Sequence, residues 1–184
     1  IALYSFAYVP WLKKHQEKID QASLPTNGQK VDIFLQAREQ LLRAGYLAIA
    51  MDHFALKDDE LAKSFKKDRL YRNFMGYTVK PADEYIGAGV SSIGFIEDAF
   101  IQNHKILKDY YHALDRNELP VERGKCLTPD DKIRQFTINS LMCHFKLDKQ
   151  DFLKRFGKSF DEYFAEELPH IQYCLEDGLI ETDN

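Results

Sequence analysis

Residues 31–61 read "VDIFLQAREQLLRAGYLAIAMDHFALKDDEL", and the fold turns on how this stretch is divided. Phe34, Ala37 and Leu41 recur at helical spacing, and Gly45 is placed to end that helix. "LAIAM" after it is a short run apolar on both faces, as a buried strand would be. Upstream, Ile1 to Val9 is rich in β-branched and aromatic residues and stops at Pro10, which predicts an earlier strand. Strand, helix and strand in that order imply a βαβ unit and a parallel sheet. A helix from about Asp58 to Lys67 would then begin the next crossover.

Asp52 and His53 sit where the apolar run ends. In a continuing strand, neighbours point to opposite faces, so the two would not enter one site together. Leu47, Ile49 and Met51 would pack against helices, while Ala48, Ala50 and Asp52 would face a barrel interior. Polar residues at the C-terminal end of a parallel strand are commonly functional. The other reading is a carboxylate that fixes a neighbouring loop.

The middle of the chain, "RNFMGYTVKPADEYIGAGVSSIGFIEDAFIQN", mixes aromatics with Gly76, Gly87, Gly89 and Gly94 and predicts loops, short strands and close backbone approaches. "IGAGVSSIG" departs from the dinucleotide-loop spacing and lacks a framing strand and helix. Arg72 and Arg123, at the edges of this region, could hold an acidic substrate through two parallel hydrogen bonds, although most surface arginines do nothing special. "HKILKDYYHALDRNEL" is helical up to Pro120. From Thr128 the pattern is helical: Thr128 caps, Pro129 follows at the first position, and a second helix opens with a capping box from Ser159 to Glu162 and ends at Gly178. Two helices and a strand-like "LIE" have a winged-helix outline.

Several function classes are set aside by composition. The chain has 184 residues and a net charge of −4, and residues 128–184 hold seven Lys and Arg against twelve Asp and Glu. Duplex binding depends on phosphate neutralisation, so nucleic acid is not an expected partner. No run approaches a membrane span. Cys126, Cys143 and Cys174 are too far apart for a disulfide framework and read as reduced thiols of a cytosolic protein. His104, His112, His144 and His170 have no partners at metal-ligand spacing. The apolar opening at Ile1 and the closing "DGLIETDN" suggest an internal piece of a longer protein.

Taken in order, "YSFAYVPW", "KIDQASLPT", "AGYLAIAMDHFAL", "DDELA", "YRNFMGYT", "GAGVSSIG", "LPVERG", "LTPDDKIR", "LMCHF" and "YFAEEL" resemble the second half of the oxygen-independent coproporphyrinogen III oxidase family, the radical SAM coproporphyrinogen dehydrogenases of haem biosynthesis. The resemblance runs through essentially the whole chain. It implies an α/β fold: residues 1–70 as the last strands of a partial radical SAM (TIM-like) barrel, residues 71–127 as substrate- and cofactor-facing loops with a connecting helix, and residues 128–184 as a mostly helical C-terminal domain. The implied reaction is oxidative decarboxylation of coproporphyrinogen III to protoporphyrinogen IX, with S-adenosylmethionine and a [4Fe–4S] cluster as cofactors and a reductant as electron source. The cluster's C-x3-C-x2-C run is absent here, so its ligands are expected upstream and this piece alone should be inactive.

By the same resemblance, Ala7 and Ile93 fall where the family contacts S-adenosylmethionine through backbone. Met75 stands where Gln is common, near a second such molecule, and Met lacks an amide's donors. Asp52, His53, Arg72 and Arg123 become substrate or site-supporting candidates, with no residue assigned to catalysis. Tyr8 and Ala50 also depart from the pattern, standing for an expected His and Gly. A haem chaperone of the same superfamily and a non-enzymatic winged-helix interaction module are the alternatives.

Overall fold

The computed structural model describes residues 1–183. Ile1 to Val9 does not form the expected strand. Only Ala2 bridges, antiparallel to His53, and the ties are Ile1 to Phe54 in both directions at 2.8 Å and Leu3 N–H to the Asp52 carbonyl at 2.9 Å. A strand persists only where a neighbour takes its N–H and C=O groups, and past Leu3 no described strand runs alongside. Two 3-10 turns follow, Lys14–Lys18 and Gln21–Ser23.

Helix α1, Asn27–Arg43, starts earlier than the apolar spacing suggests. Its start is a capping box: Thr26 accepts from the Gln29 N–H and the Gln29 side chain returns to Thr26. Gly45, at φ 87°, ends it in the left-handed conformation expected of a glycine there.

The next two strands, β1 (Tyr46–Ile49) and β2 (His53–Leu56), overturn the βαβ expectation. They form an antiparallel hairpin with Ile49 opposite His53, and every strand pair among the described residues is antiparallel. Ala50 supplies the reason: its φ of 51° turns the chain back before a crossover can start. An apolar run on both faces reflects burial, and burial does not by itself require parallel neighbours. The described strands form three small sheets and no closed barrel.

Behind the hairpin, Ile49, Ala50, Ala55, Ala62, Leu70 and Cys143 make one core, with Leu47, Leu61, Phe65 and Tyr77 against it. Each fully buried aliphatic side chain, such as Ile49 or Leu70, contributes about 1.5–3 kcal/mol. Ala62 comes from α2 (Glu60–Phe65), capped by the Asp59 carboxylate and shorter than the sequence suggested. It leads into a second hairpin, β3 (Tyr71–Asn73) and β4 (Gly76–Thr78).

A three-stranded antiparallel sheet follows in the order β5 (Ile93–Ile96), β6 (Ala99–Asn103), β7 (Val121–Cys126). Helix α3, Leu107–Asp115, joins β6 to β7 and stops five residues before Pro120, where Asn117 takes φ 55°.

Helix α4, Pro129–His144, carries the Thr128 cap and the Pro at its start that the sequence foretold. Helices α5 (Lys149–Phe156), α6 (Phe160–Tyr163) and α7 (Leu168–Glu176) complete the chain. Ile133, Phe152 and Phe164 form their core, with Phe136, Phe156, Phe160 and Tyr163 packed on it. Cys143 of the same α4 belongs to the first core, so this helix stitches the two together.

Three expectations for this region are corrected. Ser159 stands at the start of α6 but makes no side-chain cap. The expected single helix from 160 to 176 is broken, because Pro169 has no N–H to continue the ladder and begins a new helix instead. No described strand follows α7, so the winged-helix outline is not formed; Gly178, at φ 67°, does end that helix as expected.

Candidate functional site

Asp52 occupies the β1–β2 turn, so the strand rule that would separate it from His53 does not apply. Its Oδ1 lies 2.7 Å from His53 Nδ1, with both side chains about three-quarters buried. The pairing favours a proton on Nδ1 and leaves Nε2 as the ring's free acceptor. Nε2 faces Gly76, where an added Cβ would come within 3.7 Å of it.

Aromatic rings fix the imidazole on two sides. Tyr77 of β4 meets it edge-on at 4.9 Å between centroids, and Tyr4 of the N-terminal segment at 6.3 Å. Leu3's bond to the Asp52 carbonyl is what brings Tyr4 there. The Tyr77 hydroxyl donates to the Met142 carbonyl at 3.0 Å, and burial pushes its pKa up against the lowering effects of the Met51 backbone and Arg72. Arg72 pairs with Tyr77 across the β3–β4 hairpin, its guanidinium 5.6 Å from the ring centroid. Asp52, His53 and Arg72 are therefore gathered around Tyr77.

Ile93 and Arg123 lie elsewhere, in one row of the three-stranded sheet. Ile93 is opposite Gln102, Gln102 is opposite Arg123, and Arg123 Nε donates to Gln102 Oε1 at 2.8 Å. Residues opposite one another in a sheet share a face, so these three side chains stand together. Phe95 exchanges both backbone hydrogen bonds with Tyr85 on the outer side of β5. By alternation, the N–H and C=O of Ile93 also point away from β6. They point beside Gly87, where an added Cβ would stand 2.8 Å from the Ile93 carbonyl. The close backbone approach read from the glycines is present. Asn103 holds that loop, donating to the carbonyls of Gly87 at 3.1 Å and Gly89 at 2.9 Å.

Met75 is at the tip of the β3–β4 hairpin and 92% exposed; Asn73 Oδ1 accepts from its N–H. Its neighbour Phe74 packs edge-on against Phe100 at 5.1 Å, linking the hairpin to the sheet. Ala7 is exposed and its carbonyl accepts from Gln16. Sequence reading missed Tyr4, Tyr77, Gln16, Gln102 and Asn103. Tyr77, in the quoted "RNFMGYT", was within reach; Gln16 had no local signal.

The three thiols are dispersed: Cys126 is exposed, Cys143 is buried with its pKa raised by that burial, and Cys174 is half-buried. Among the described residues no group of three His, Cys, Asp or Glu side chains could hold a metal ion. These donors do not fit an iron–sulfur cluster. Among the described residues, surface hollows include one of about 490 Å³ beside Leu24, Gln29 and Asp32 and one of about 310 Å³ beside Phe136 and Arg155. Neither includes a candidate residue.

Residues 127–184 match the family described as the HemN C-terminal domain. The solved structure of coproporphyrinogen III oxidase (HemN) from Escherichia coli, described as a radical SAM enzyme, matches 99% of this chain and 42% of that one at a TM-score of 0.94 and 40% identity. The chain thus has the fold of part of a radical SAM enzyme.

Curated relatives narrow that class. The oxygen-independent coproporphyrinogen III oxidase of Synechocystis sp. is 44% identical over 98% of the chain, and those of Pseudomonas aeruginosa and Escherichia coli are each 40% identical over all of it. The chain is thus similar, over nearly its whole length, to part of the oxygen-independent coproporphyrinogen III oxidases. It spans about 40% of the length of these relatives.

Proposed function

We propose that this chain supplies the C-terminal portion of an oxygen-independent coproporphyrinogen III oxidase, which converts coproporphyrinogen III to protoporphyrinogen IX in cytoplasmic haem biosynthesis. The observation that carries the proposal is that nearly the whole chain matches part of such oxidases in both sequence and fold. In the whole protein, the extended Ile1–Val9 and the β1–β2 hairpin would join a partial barrel with strands from outside this chain.

Solvent-exposed Ala7 and the Ile93 N–H and C=O, which point away from β6, suit one wall of an S-adenosylmethionine site. That molecule, with an iron–sulfur cluster whose thiolates lie outside this chain and a reductant to feed it, supplies the radical chemistry. This chain's own residues position and shield the substrate. Glycine at 87 and 94 allows the backbone approach that the Ile93 wall needs. Arg72 and Arg123 offer guanidinium groups to substrate carboxylates from two separate elements. His53, held by Asp52 and Tyr77, presents Nε2 as a hydrogen-bond acceptor. Met75, at the exposed hairpin tip, offers a second S-adenosylmethionine only an apolar contact.

Product analysis on the full-length protein, run anaerobically with S-adenosylmethionine, a reductant and coproporphyrinogen III, tests the proposal. Divinyl product is the expected result. Bound haem without turnover would assign the chain to the chaperone alternative.

A further inference from the structure

Among the described residues Gln16 is the one polar or charged side chain in the buried class, at 8% exposure. A buried carboxamide is costly unless its donors and acceptors are used. Gln16 spends both ends on one stretch of backbone: Oε1 accepts from the Val9 N–H at 2.6 Å and Nε2 donates to the Ala7 carbonyl at 3.1 Å. These are the groups, carbonyl of one residue and N–H two residues on, that a single residue of a parallel neighbour strand would engage. On this side of the segment the side chain substitutes for one residue of such a strand.

The need for that substitute is local. Leu3 is the last residue of this segment bound to the β1–β2 hairpin, and Tyr4 and Phe6 are exposed. From Pro10 the chain turns, with Leu12 and Lys13 both bonding back to Val9. Between these anchors, Ala7 is held by Gln16, which sits in the 3-10 turn Lys14–Lys18. Gln21, the other nearby amide, reaches only the Tyr8 hydroxyl at the surface.

We infer that Gln16 is a positioning residue of the S-adenosylmethionine site: it fixes the Ala7–Val9 backbone at the angle the cofactor meets. This rests on the reading that Ala7 lines that site. By taking up the Ala7 carbonyl, Gln16 also determines which backbone groups remain for a ligand, namely those of neighbouring residues on the other side of the segment.

The test is equilibrium binding of labelled S-adenosylmethionine to the full-length, cluster-loaded protein, alongside KM for each substrate. Gln16→Leu removes both bonds and is expected to weaken S-adenosylmethionine binding about tenfold or more, as a displaced contact of this kind does, while the porphyrinogen KM stays within twofold. Gln16→Glu keeps the Val9 bond and sets a carboxylate against the Ala7 carbonyl; it carries the test if the leucine variant does not fold, with a loss of at least threefold expected. Gln21→Ala is the control and should bind normally. Ala7→Phe probes the underlying reading by filling the wall itself. Normal binding in folded Gln16 variants, with weakened binding in Ala7→Phe, would overturn the role of Gln16 alone. Normal binding in Ala7→Phe would overturn the placement of the site and the inference with it.

Discussion

Asp52 Oδ1 and His53 Nδ1 are neighbours in the chain and 2.7 Å apart, a pairing that arises because one residue is in a turn and the other opens a strand. Had β1 continued through both, their side chains would have parted to opposite faces. The turn at Ala50 therefore creates the candidate site as well as the hairpin.

That pairing makes the His53 tautomer depend on Asp52. In Asp52→Ala, nitrogen-15 NMR of the imidazole should move from a predominantly Nδ1–H form to a mixture, and full-length turnover should fall about tenfold or more. An unchanged tautomer in the variant would remove Asp52 from the site.

Two glycine-to-alanine changes should act in opposite directions. At Gly87 the new Cβ would lie 2.8 Å from the Ile93 backbone, so Gly87→Ala should destabilise by about 1–3 kcal/mol in denaturant unfolding. At Gly28, inside the first turn of α1 with nothing within 4 Å, the same change should stabilise by about 0.5 kcal/mol. Equal shifts in midpoint at the two positions would contradict the close approach at Gly87.

Caps that look alike in sequence should differ in worth. Thr128 forms a reciprocal box with Asp131, and Thr128→Ala should cost about 1 kcal/mol. Ser159 makes no cap bond, so Ser159→Ala should stay within about 0.5 kcal/mol of the parent. Thermal unfolding of both variants gives the comparison, and a larger loss at Ser159 would refute it.

Acid should loosen the helical region through Asp130. The Tyr163 hydroxyl, then Arg134, bond its carboxylate and hold its pKa below the ordinary value of 3.8. The unfolded chain thus binds the proton at higher pH than the folded one. The stabilisation is complete above about pH 5, begins to fade as pH nears the unfolded value of 3.8, and is lost as pH falls through the folded value. Asp130→Asn should flatten this acid limb in pH-dependent unfolding, and an unaltered limb would place the effect elsewhere.

Local chemistry was legible in the residues themselves. Helix ends at Gly45, Thr128 and Gly178 follow from φ preference and capping, which act over a few residues. The crowding around Gly87 and Gly94 was readable for the same reason. The likeness to oxygen-independent coproporphyrinogen III oxidases was readable as well, because many short stretches in a common order act jointly. The thiol spacing ruled out a three-cysteine run before any fold was known.

What tertiary structure alone decided was pairing. The apolar run Tyr46–Ile49 carries no mark of whether its neighbour is parallel, since burial on two faces looks the same either way. The left-handed turn at Ala50, a conformation an alanine does not advertise, settled it. The site's other members are distant in sequence: Tyr4 and Tyr77 meet around His53, the Tyr77 hydroxyl is anchored on the Met142 carbonyl, and Gln16 returns to Ala7 through a turn. Such contacts depend on where whole elements come to rest, because a single side chain's bonding partners are fixed by packing and not by its nearest neighbours.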